Sequence, residues 1–317
     1  MTSTKEPVRK MLLSGGAGLV GQNLVLSLKQ RGYSHITVLD KHAHNLSLIS
    51  ARHPDVIVRE VDLAVPGAWM DDLAHADTVV MLQAQIGAKH RSLFERNTID
   101  TTDLVLEAMR RHSAPHLIHV SSSVVNSVAE DDYTRTKREQ EQMVLTSGLA
   151  NVVLRPTLMF GWFDRKHLGW LARFMRKVPA FPIPGHGRYM RQPLYVRDFC
   201  DVIVKCVANR LVGGPYNITG TEQIDYIDII RTIRDTLGVR TPIVRIPYWL
   251  FDGLLRTWAL FDSNPPFTTD QLRALVAGDE FDSDDWPEIF GVTPTPFRQA
   301  IRETFLDPTY SQVELEF

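Results

Sequence analysis

The sequence is poor in cysteine, in net charge and in long apolar runs. Its 317 residues contain two cysteines, Cys200 and Cys206, too few for a disulfide framework or a zinc site. The 35 basic and 37 acidic side chains give a net charge of -2, so there is no basic excess of the kind that nucleic-acid-binding domains carry. The most apolar stretch, 246–261, is too short to cross a bilayer and contains Asp252 and Arg256. We therefore expect a cytoplasmic protein without a secretory signal, a membrane span or a nucleic-acid partner.

The hydrophobic content of 44% is enough for a large buried core. Short β-branched runs alternate with longer helical patterns through the first half, which is typical of a parallel sheet covered by helices on both faces. The fold class predicted is therefore α/β, with a doubly wound parallel sheet. The predicted strands cover 10–14, 35–40, 56–62, 78–82, 116–120 and 151–155, and the clearest helices cover 22–30, 98–111 and 136–146.

The pattern changes after about residue 160, where proline and glycine become frequent. Helical patterns then follow at 199–207, 226–237, 248–261 and 269–276, and Asp198 is the predicted N-cap of the first of them. We predict one domain over 1–160, joined by a strand and a helix from about 190–220, and a smaller, mostly helical lobe over 161–317. Trp249, Phe251 and Trp258 are expected in the core of that lobe.

A glycine-rich turn joins the first strand to the first helix, with Gly15, Gly18 and Gly21 three residues apart. Such glycines allow a tight turn, a close approach to a pyrophosphate and close packing of helix on strand. Asp40 ends the second strand and would accept hydrogen bonds from a ribose while repelling a 2′-phosphate, although Lys41 weakens that repulsion. The first domain is therefore predicted to bind NAD, against the alternative of an ordinary strand-to-helix turn.

A possible acid–base pair follows the fifth predicted strand, where Tyr133 and Lys137 would be one turn apart on a helix. An ammonium group next to a phenol lowers the phenol's pKa from about 10, so the tyrosine could exchange a proton with a hydroxyl while hydride moves at the same carbon. The alternative is a surface helix with two polar residues. The run Ser121–Ser123 ends the preceding strand and could hydrogen-bond the reacting oxygen.

These motifs, in this order, resemble the extended short-chain dehydrogenase/reductase family, also called the NAD-dependent epimerase/dehydratase family. The resemblance implies a catalytic set of Ser123, Tyr133 and Lys137. It also implies that Asp62 meets the adenine, that 82–84 lies under the pyrophosphate, and that Asn97 braces the central strands. The full set of implied cofactor contacts is Gly15, Gly18, Leu19, Val20, Gly21, Asp40, Lys41, Asp62, Leu63, Leu82, Gln83, Ala84, Asn97, Ser121, Tyr133, Lys137 and Pro156.

The resemblance also implies a substrate site. The segment 185–198 is similar to the one whose arginine binds a nucleotide-sugar diphosphate, which points to Arg191, with Arg188 as a second candidate. An arginine fork suits phosphate oxygens, and the alternative for Arg191 is a surface ion pair. Gln85 is a further candidate. The expected partners are a UDP-sugar and a second copy of the chain, the latter through helices 98–111 and 136–146.

The sequence also departs from the family. Ser123 and Tyr133 are only ten residues apart, so a loop over the site is shortened. Val124 and Val125 stand where sugar dehydratases carry an acid pair, which argues against dehydration. The predicted activity is 4-epimerisation of a sugar nucleotide. The alternatives are a 4-keto-sugar reductase, another dehydrogenase of a small alcohol such as a steroid, and a non-catalytic nucleotide-binding subunit. No metal is expected, because the histidines lack ligand spacing.

Overall fold

The structure is a computed structural model that describes residues 9–128, 130–261, 269–277 and 282–316. The strands are β1 (Lys10–Ser14), β2 (His35–Asp40), β3 (Ile57–Glu60), β4 (Thr78–Met81), β5 (Leu117–Val120), β6 (Asn151–Pro156), β7 (Met159–Phe160), β8 (Phe181–Pro184), β9 (Met190–Arg191), β10 (Leu194–Tyr195), β11 (Gly213–Ile218), β12 (Ile224–Asp225) and β13 (Ile243–Ile246).

The helices lie between these strands and after the last of them. They are α1 (Leu19–Gln30), α2 (Ala43–Arg52), α3 (Arg91–Phe94), α4 (Thr101–His112), α5 (Asp132–Leu145), α6 (Leu168–Lys177), α7 (Val196–Asn209), α8 (Tyr226–Leu237), α9 (Tyr248–Phe261), α10 (Thr269–Ala277), α11 (Trp286–Phe290) and α12 (Phe297–Leu306). Short 3-10 helices cover Ala68–His75 and Ser123–Asn126, and a π-helical turn covers Glu95–Asp100.

Seven of the strands form one parallel sheet in the order β11-β6-β5-β4-β1-β2-β3. The chain builds outward from β1 in one direction and from β4 in the other, so the order reverses between these two neighbours. In such sheets the ligand crevice lies outside the carboxyl ends of the strands at this reversal. The predicted α/β class with a doubly wound parallel sheet is confirmed.

The sheet is buried on both faces because successive strand residues point to opposite sides. Leu13 and Val80 pack with α1 and α7 on one face, whereas Leu12 and Val79 pack with α4 on the other. The interior of each strand is therefore apolar throughout, which is the pattern that predicted a parallel sheet.

A second core lies in the C-terminal half. Apolar side chains of α6, α8 and α12 pack around β8, and β8 pairs with β13 in a small parallel ladder. A short antiparallel ladder joins β9 to β12, and β10 pairs with β7. Strand β11 returns to the edge of the main sheet, and α7 packs against α1.

Two predictions about this half were wrong. Asp198 lies inside α7 and accepts hydrogen bonds from the Thr295 backbone nitrogen (2.8 Å) and hydroxyl (2.6 Å), because α7 begins earlier, at Val196. Two of the three aromatic residues expected in the core of the lobe are exposed instead: Trp249 is 73% exposed and Trp258 is 47% exposed, whereas Phe251 is part-buried and Leu255 is buried. Along the described ranges, none of the helices has both the length and the apolar character needed to cross a bilayer.

Candidate active site

The glycine-rich turn lies at the carboxyl end of β1, where the strand order reverses. Gly15 has a φ of +67°, and a Cβ added to it would lie 2.6 Å from the backbone of Gln83. A Cβ on Gly21 would lie 2.0 Å from the carbonyl oxygen of Gly16. Both positions therefore require glycine. Gly18 is the N-cap of α1 and offers no side chain to its free N–H groups, so these can face an anion.

Asp40 is buried at the end of β2, beside the glycine-rich turn. Its Oδ2 accepts a hydrogen bond from the Ala17 nitrogen (2.9 Å), and its Oδ1 accepts one from the His42 nitrogen (3.1 Å). These bonds orient the carboxylate, and each oxygen has a further lone pair for a ribose hydroxyl. Lys41 is exposed on the rim of an open cavity whose lining includes His44 and Glu316.

The turn after β4 closes the other side of the crevice. The Ser14 hydroxyl donates to Gln83 Oε1 (2.8 Å), and the buried Nε2 of Gln83 has no hydrogen-bond partner among the described residues. The tight glycine turn and the bare N-terminus of α1 fit an anionic dinucleotide. Leu82 and Ala84 flank Gln83 and are part-buried.

The predicted adenine contacts lie after β3. Asp62 binds Arg96 through Oδ2 (2.6 Å) and accepts from the Ala64 nitrogen through Oδ1 (3.0 Å). Burial raises the pKa of Asp62, but its bonds to Arg96 and the Ala64 nitrogen outweigh this and leave it below the usual value. The Leu63 side chain is packed in the core, so only its backbone is available to a ligand. Arg96 was not predicted from the sequence.

Asn97 and Gln85 form one pair. The Asn97 amide donates to Gln85 Oε1 (2.8 Å), and the Gln85 backbone nitrogen donates to the Thr98 hydroxyl (3.1 Å). The π-helical turn that carries Asn97 is thereby tied to the segment after β4. Leu19, Val20 and Pro156 line the same end of the sheet, at the start of α1 and the end of β6.

Tyr133 lies in the first turn of α5, which is capped by the Asp131 carboxylate (2.8 Å to the Thr134 nitrogen). Burial raises the pKa of Tyr133, and a hydrogen bond with the Ser122 hydroxyl lowers it only partly. The Ser123 side chain is buried at the start of the 3-10 helix. Of the predicted serine run, the structure thus puts Ser122 beside the phenol, whereas the resemblance had singled out Ser123.

Lys137 does not lower the pKa of Tyr133 as expected. Its Nζ donates to the Val120 carbonyl (3.0 Å) and to Gln140 Oε1 (2.6 Å), and it is almost fully buried. Burial lowers the pKa of Lys137 to about 7, although the Glu141 charge opposes this. Around neutral pH the lysine is therefore only partly charged, and the phenol stays protonated.

The Ser121 side chain makes its hydrogen bond inside the protein, with Glu141. Its hydroxyl donates to Glu141 Oε2 (2.6 Å), and Arg155 Nε donates to the same oxygen (3.0 Å). Arg155 also donates to Asn126 Oδ1 (3.1 Å), and Arg138 Nε donates to the Val125 carbonyl (3.1 Å). These contacts hold the short segment between Ser123 and Tyr133 against α5 and β6.

The predicted phosphate-binding arginines lie in the second lobe. Arg191 is part-buried on β9, where it pairs with Ile224 of β12, and its charge partly offsets the rise that burial causes in the pKa of Tyr226. The next residue, Gln192, accepts a hydrogen bond from the Thr157 hydroxyl (3.2 Å), and Thr157 directly follows β6. The segment with Arg191 is thus fastened to the carboxyl edge of the sheet. Arg188 is exposed on the loop before β9.

Fold and site together define a dinucleotide-binding α/β enzyme with a tyrosine–lysine pair. The model of the NAD dependent epimerase/dehydratase family matches residues 11–219, and the chain belongs to this family. The predicted resemblance, the enzyme class and the NAD dependence are thereby confirmed, and the alternative of a non-catalytic subunit is set aside.

Several curated proteins are similar to this chain. A 4-hydroxy-2-methyl-3-oxo-4-farnesyl-3,4-dihydroquinoline-1-oxide ketoreductase from Stigmatella aurantiaca is 24% identical over 262 residues, 75% of this chain and 76% of that protein. A UDP-glucose 4-epimerase from Vibrio cholerae is 22% identical over 271 residues, 79% and 82% of the two chains. By their names, these two relatives differ both in reaction and in substrate.

Solved structures agree on the fold. The UDP-glucuronic acid 4-epimerase from Bacillus cereus, in complex with NAD, superposes with a TM-score of 0.75 at 19% identity and covers 93% of this chain and 96% of that chain. A UDP-N-acetylglucosamine 4-epimerase from Methanobrevibacter ruminantium superposes with a TM-score of 0.73 at 17% identity, covering 94% and 97%. At these identities the likeness concerns the fold alone.

Proposed function

We propose that the protein is an NAD-dependent nucleotide-sugar 4-epimerase that acts on a UDP-sugar. The observation that carries this proposal is the hydrogen bond from the Thr157 hydroxyl to the Gln192 main-chain carbonyl, because it ties the segment that contains Arg191 to the carboxyl end of β6. An arginine there suits a diphosphate, and Tyr133 suits the hydroxyl of the attached sugar.

The chain's own residues have separate tasks in this account. Asp40 binds the adenosine ribose, and the N-terminus of α1 with the Gly15 turn holds the pyrophosphate. Tyr133 takes the proton from the sugar hydroxyl and later returns it to the ketone, with Ser123 or Ser122 hydrogen-bonded to the same oxygen. Lys137 is hydrogen-bonded to Gln140, and Gln140 fixes the backbone of the turn after β4. Bound NAD supplies the hydride acceptor and donor.

The protonated state of Tyr133 bears on the direction of the chemistry. Because its pKa is raised, the free site is ready to protonate a ketone and needs a bound positive charge nearby before it can remove a proton. The oxidised nicotinamide ring carries such a charge, so proton removal would be confined to the cofactor-loaded enzyme.

The test is a product assay with purified protein. UDP-glucose, UDP-galactose, UDP-glucuronic acid and UDP-N-acetylglucosamine are each incubated with the enzyme and with catalytic NAD, and the products are resolved by proton NMR. The proposal expects a 4-epimer from one of these sugars without net NADH formation. No epimer from any of them would contradict it.

A second candidate is an NAD(P)H-dependent reductase of an apolar ketone. The observation that favours it is the stripe on α9 formed by Trp249, Leu254, Trp258 and Phe261, whose exposed fractions run from 47% to 87%. Such an exposed apolar surface on the C-terminal lobe suits an apolar substrate. Net NADH consumption with a hydrophobic ketone, and no epimer, would select this candidate.

The assembly state and the location also belong to the proposal. We expect a homodimer through the outer faces of α4 and α5, which pack side by side along one face of the sheet, and a cytoplasmic enzyme. Light scattering on the purified protein tests the first, and fluorescence microscopy of a tagged chain tests the second.

A further inference from the structure

The outer face of α9 is apolar, where the outer face of a surface helix is ordinarily polar. Leu250, Leu254 and Phe261 are separated by four and seven residues, which puts them on one face of the helix, and their exposed fractions are 39%, 56% and 87%. Another side of the helix attaches it to the lobe, because Leu255 is buried there. Single exposed apolar residues are common on soluble proteins, but a contiguous stripe of them marks a surface that binds a partner.

Two tryptophans extend this outer face. Trp249 lies in the first turn of α9 and is 73% exposed, and Trp258 lies in the last turn and is 47% exposed. An indole has a large apolar body and one N–H donor, so it favours the boundary between water and the hydrocarbon of a bilayer. Exposed tryptophan, leucine and phenylalanine on one helix are therefore the composition of a helix that lies in a membrane interface.

The groups beside the start of α9 are basic. Arg245 is exposed on β13, three residues before the helix begins. Arg188 is exposed on the neighbouring loop, which is joined to β13 by a hydrogen bond from the Gly185 nitrogen to the Ile246 carbonyl (2.7 Å). Neither guanidinium group forms an ion pair within the described ranges. The apolar face of α9 is thus bordered by positive charge that the protein leaves open to a partner.

The helix itself adds no net charge to this surface. Its one acidic residue, Asp252, accepts a hydrogen bond from Arg256 Nε (2.7 Å), so the two charges balance. A partner for the whole surface must therefore combine an apolar interior with negative charge at its edge. Anionic phospholipids have this combination, whereas a second copy of the same face would bring like charges together.

We propose that the outer face of α9 docks on a bilayer that contains anionic lipids. Its apolar side chains then lie at the boundary of the headgroups and the acyl chains, with Arg245 and Arg188 facing the headgroup phosphates. Docking brings the loop before β9, and with it the proposed substrate segment, to the membrane surface. The inference does not depend on the identity of the substrate, because a docked enzyme can take either a soluble or a bilayer-dissolved one.

The test is co-sedimentation of the purified full chain with two kinds of vesicle, phosphatidylcholine alone and phosphatidylcholine mixed with an equal part of phosphatidylglycerol. We expect binding to the anionic vesicles that weakens as the salt concentration is raised. The double variant Leu254→Ser/Phe261→Ser should bind at least about tenfold more weakly, because two apolar side chains are lost from the contact. Ile57→Ser, at a 53% exposed position where β3 begins, is the matched control and should bind like the wild type.

The charge and the depth of docking are measured separately. Arg245→Gln should weaken binding to the anionic vesicles about fivefold, whereas Arg110→Gln, at an exposed arginine near the end of α4, should not change it. Brominated acyl chains should quench the tryptophan fluorescence of the wild type more than that of Trp249→Phe, because the Trp249 ring reaches their depth. The quenching measurement also serves if the double variant fails to fold.

Three results would overturn the inference. They are no binding of the wild type to either vesicle, equal binding by the wild type and the double variant, and a dimer in light scattering that the double variant abolishes, since α9 would then join two copies of the chain. Vesicle binding without epimerisation of any UDP-sugar would instead overturn the proposed function alone.

Discussion

Lys137 and Gln140 are joined by a 2.6 Å hydrogen bond inside α5, three residues apart. Gln140 is fully buried and also contacts the turn after β4, so one amide connects the lysine to the region where the dinucleotide binds. The second partner of Lys137 is the Val120 carbonyl at the end of β5. The lysine is thus part of a fixed, buried network, and burial brings its pKa down to about 7, so its charge changes near neutral pH.

Lys137 makes the stability depend on pH. Burial lowers its pKa from an ordinary 10.5 to about 7, so between these values the unfolded chain binds a proton that the folded chain does not. The free energy of unfolding should therefore rise with pH across this window through Lys137. Urea unfolding at pH 7 and pH 10 measures the slope. Lys137→Met should flatten it, whereas Lys205→Met, at an exposed lysine of α7, should not. Equal slopes in wild type and Lys137→Met would refute the shift.

Tyr133→Phe should lower turnover about a thousandfold or more, because it removes the group that exchanges a proton with the substrate. Its NAD affinity should change little, since the ring is kept. Tyr310→Phe, whose ring packs on Trp162 far along the chain, is the matched control. Steady-state kinetics and NAD titration check both variants, and a Tyr133→Phe enzyme with full turnover would remove the catalytic assignment.

Gly15→Ala should both destabilise the protein and weaken NAD. The positive φ costs about 1 kcal/mol for an alanine, and the approach of 2.6 Å to Gln83 adds to it, for a total of about 3 kcal/mol. Gly32→Ala isolates the backbone cost, because Gly32 also has a positive φ (+84°) but nothing lies within 4 Å of its Cβ position. Thermal unfolding of both variants measures the difference. Equal losses would show that the turn has room for a side chain.

Asp40→Ala should weaken NAD about tenfold or more and NADP less, because the lost carboxylate binds the ribose of the first and repels the 2′-phosphate of the second. Asp55→Ala, at an exposed aspartate that pairs with Lys29, is the control. Titration with each nucleotide gives the ratio of dissociation constants. A ratio unchanged from the wild type would contradict the assignment of Asp40.

Arg191→Ala should raise the KM for the nucleotide sugar about tenfold or more, with a smaller change in kcat, because a diphosphate contact acts in binding. Arg188→Ala should have a smaller effect, since its side chain is exposed on the loop. Initial rates over a range of substrate concentration test both. An unaltered KM in Arg191→Ala would exclude it from the substrate site.

Local spacing predicted much of the site. The glycine-rich turn follows β1 and Asp40 ends β2, both at the end of the sheet where a nucleotide crevice forms, so their proximity can be derived from the strand pattern alone. The six N-terminal strands were also predicted to within about two residues, because each is an apolar run buried on both faces. The proximity of Tyr133 and Lys137 could be predicted without knowledge of the tertiary structure, because residues four apart on a helix lie one turn from each other.

Contacts between distant segments were not predictable. Asp198 caps nothing in α7 because Thr295, far along the chain, supplies its hydrogen bonds. The raised pKa of Tyr133 depends on how α5 packs over the sheet, and the partner of Lys137 depends on a buried glutamine that no motif marks. The exposed aromatic face of α9 has the same apolar pattern as a core helix, so sequence alone favoured burial.

The most direct test of the account is to follow the hydrogen at C4 of the substrate. A UDP-hexose deuterated at C4 is incubated with the purified enzyme in ordinary water, and the product is analysed by NMR and mass spectrometry. The account predicts a 4-epimer that keeps its deuterium, with Tyr133→Phe inactive in the same assay. No 4-epimer, or a 4-epimer with protium at C4, would contradict it.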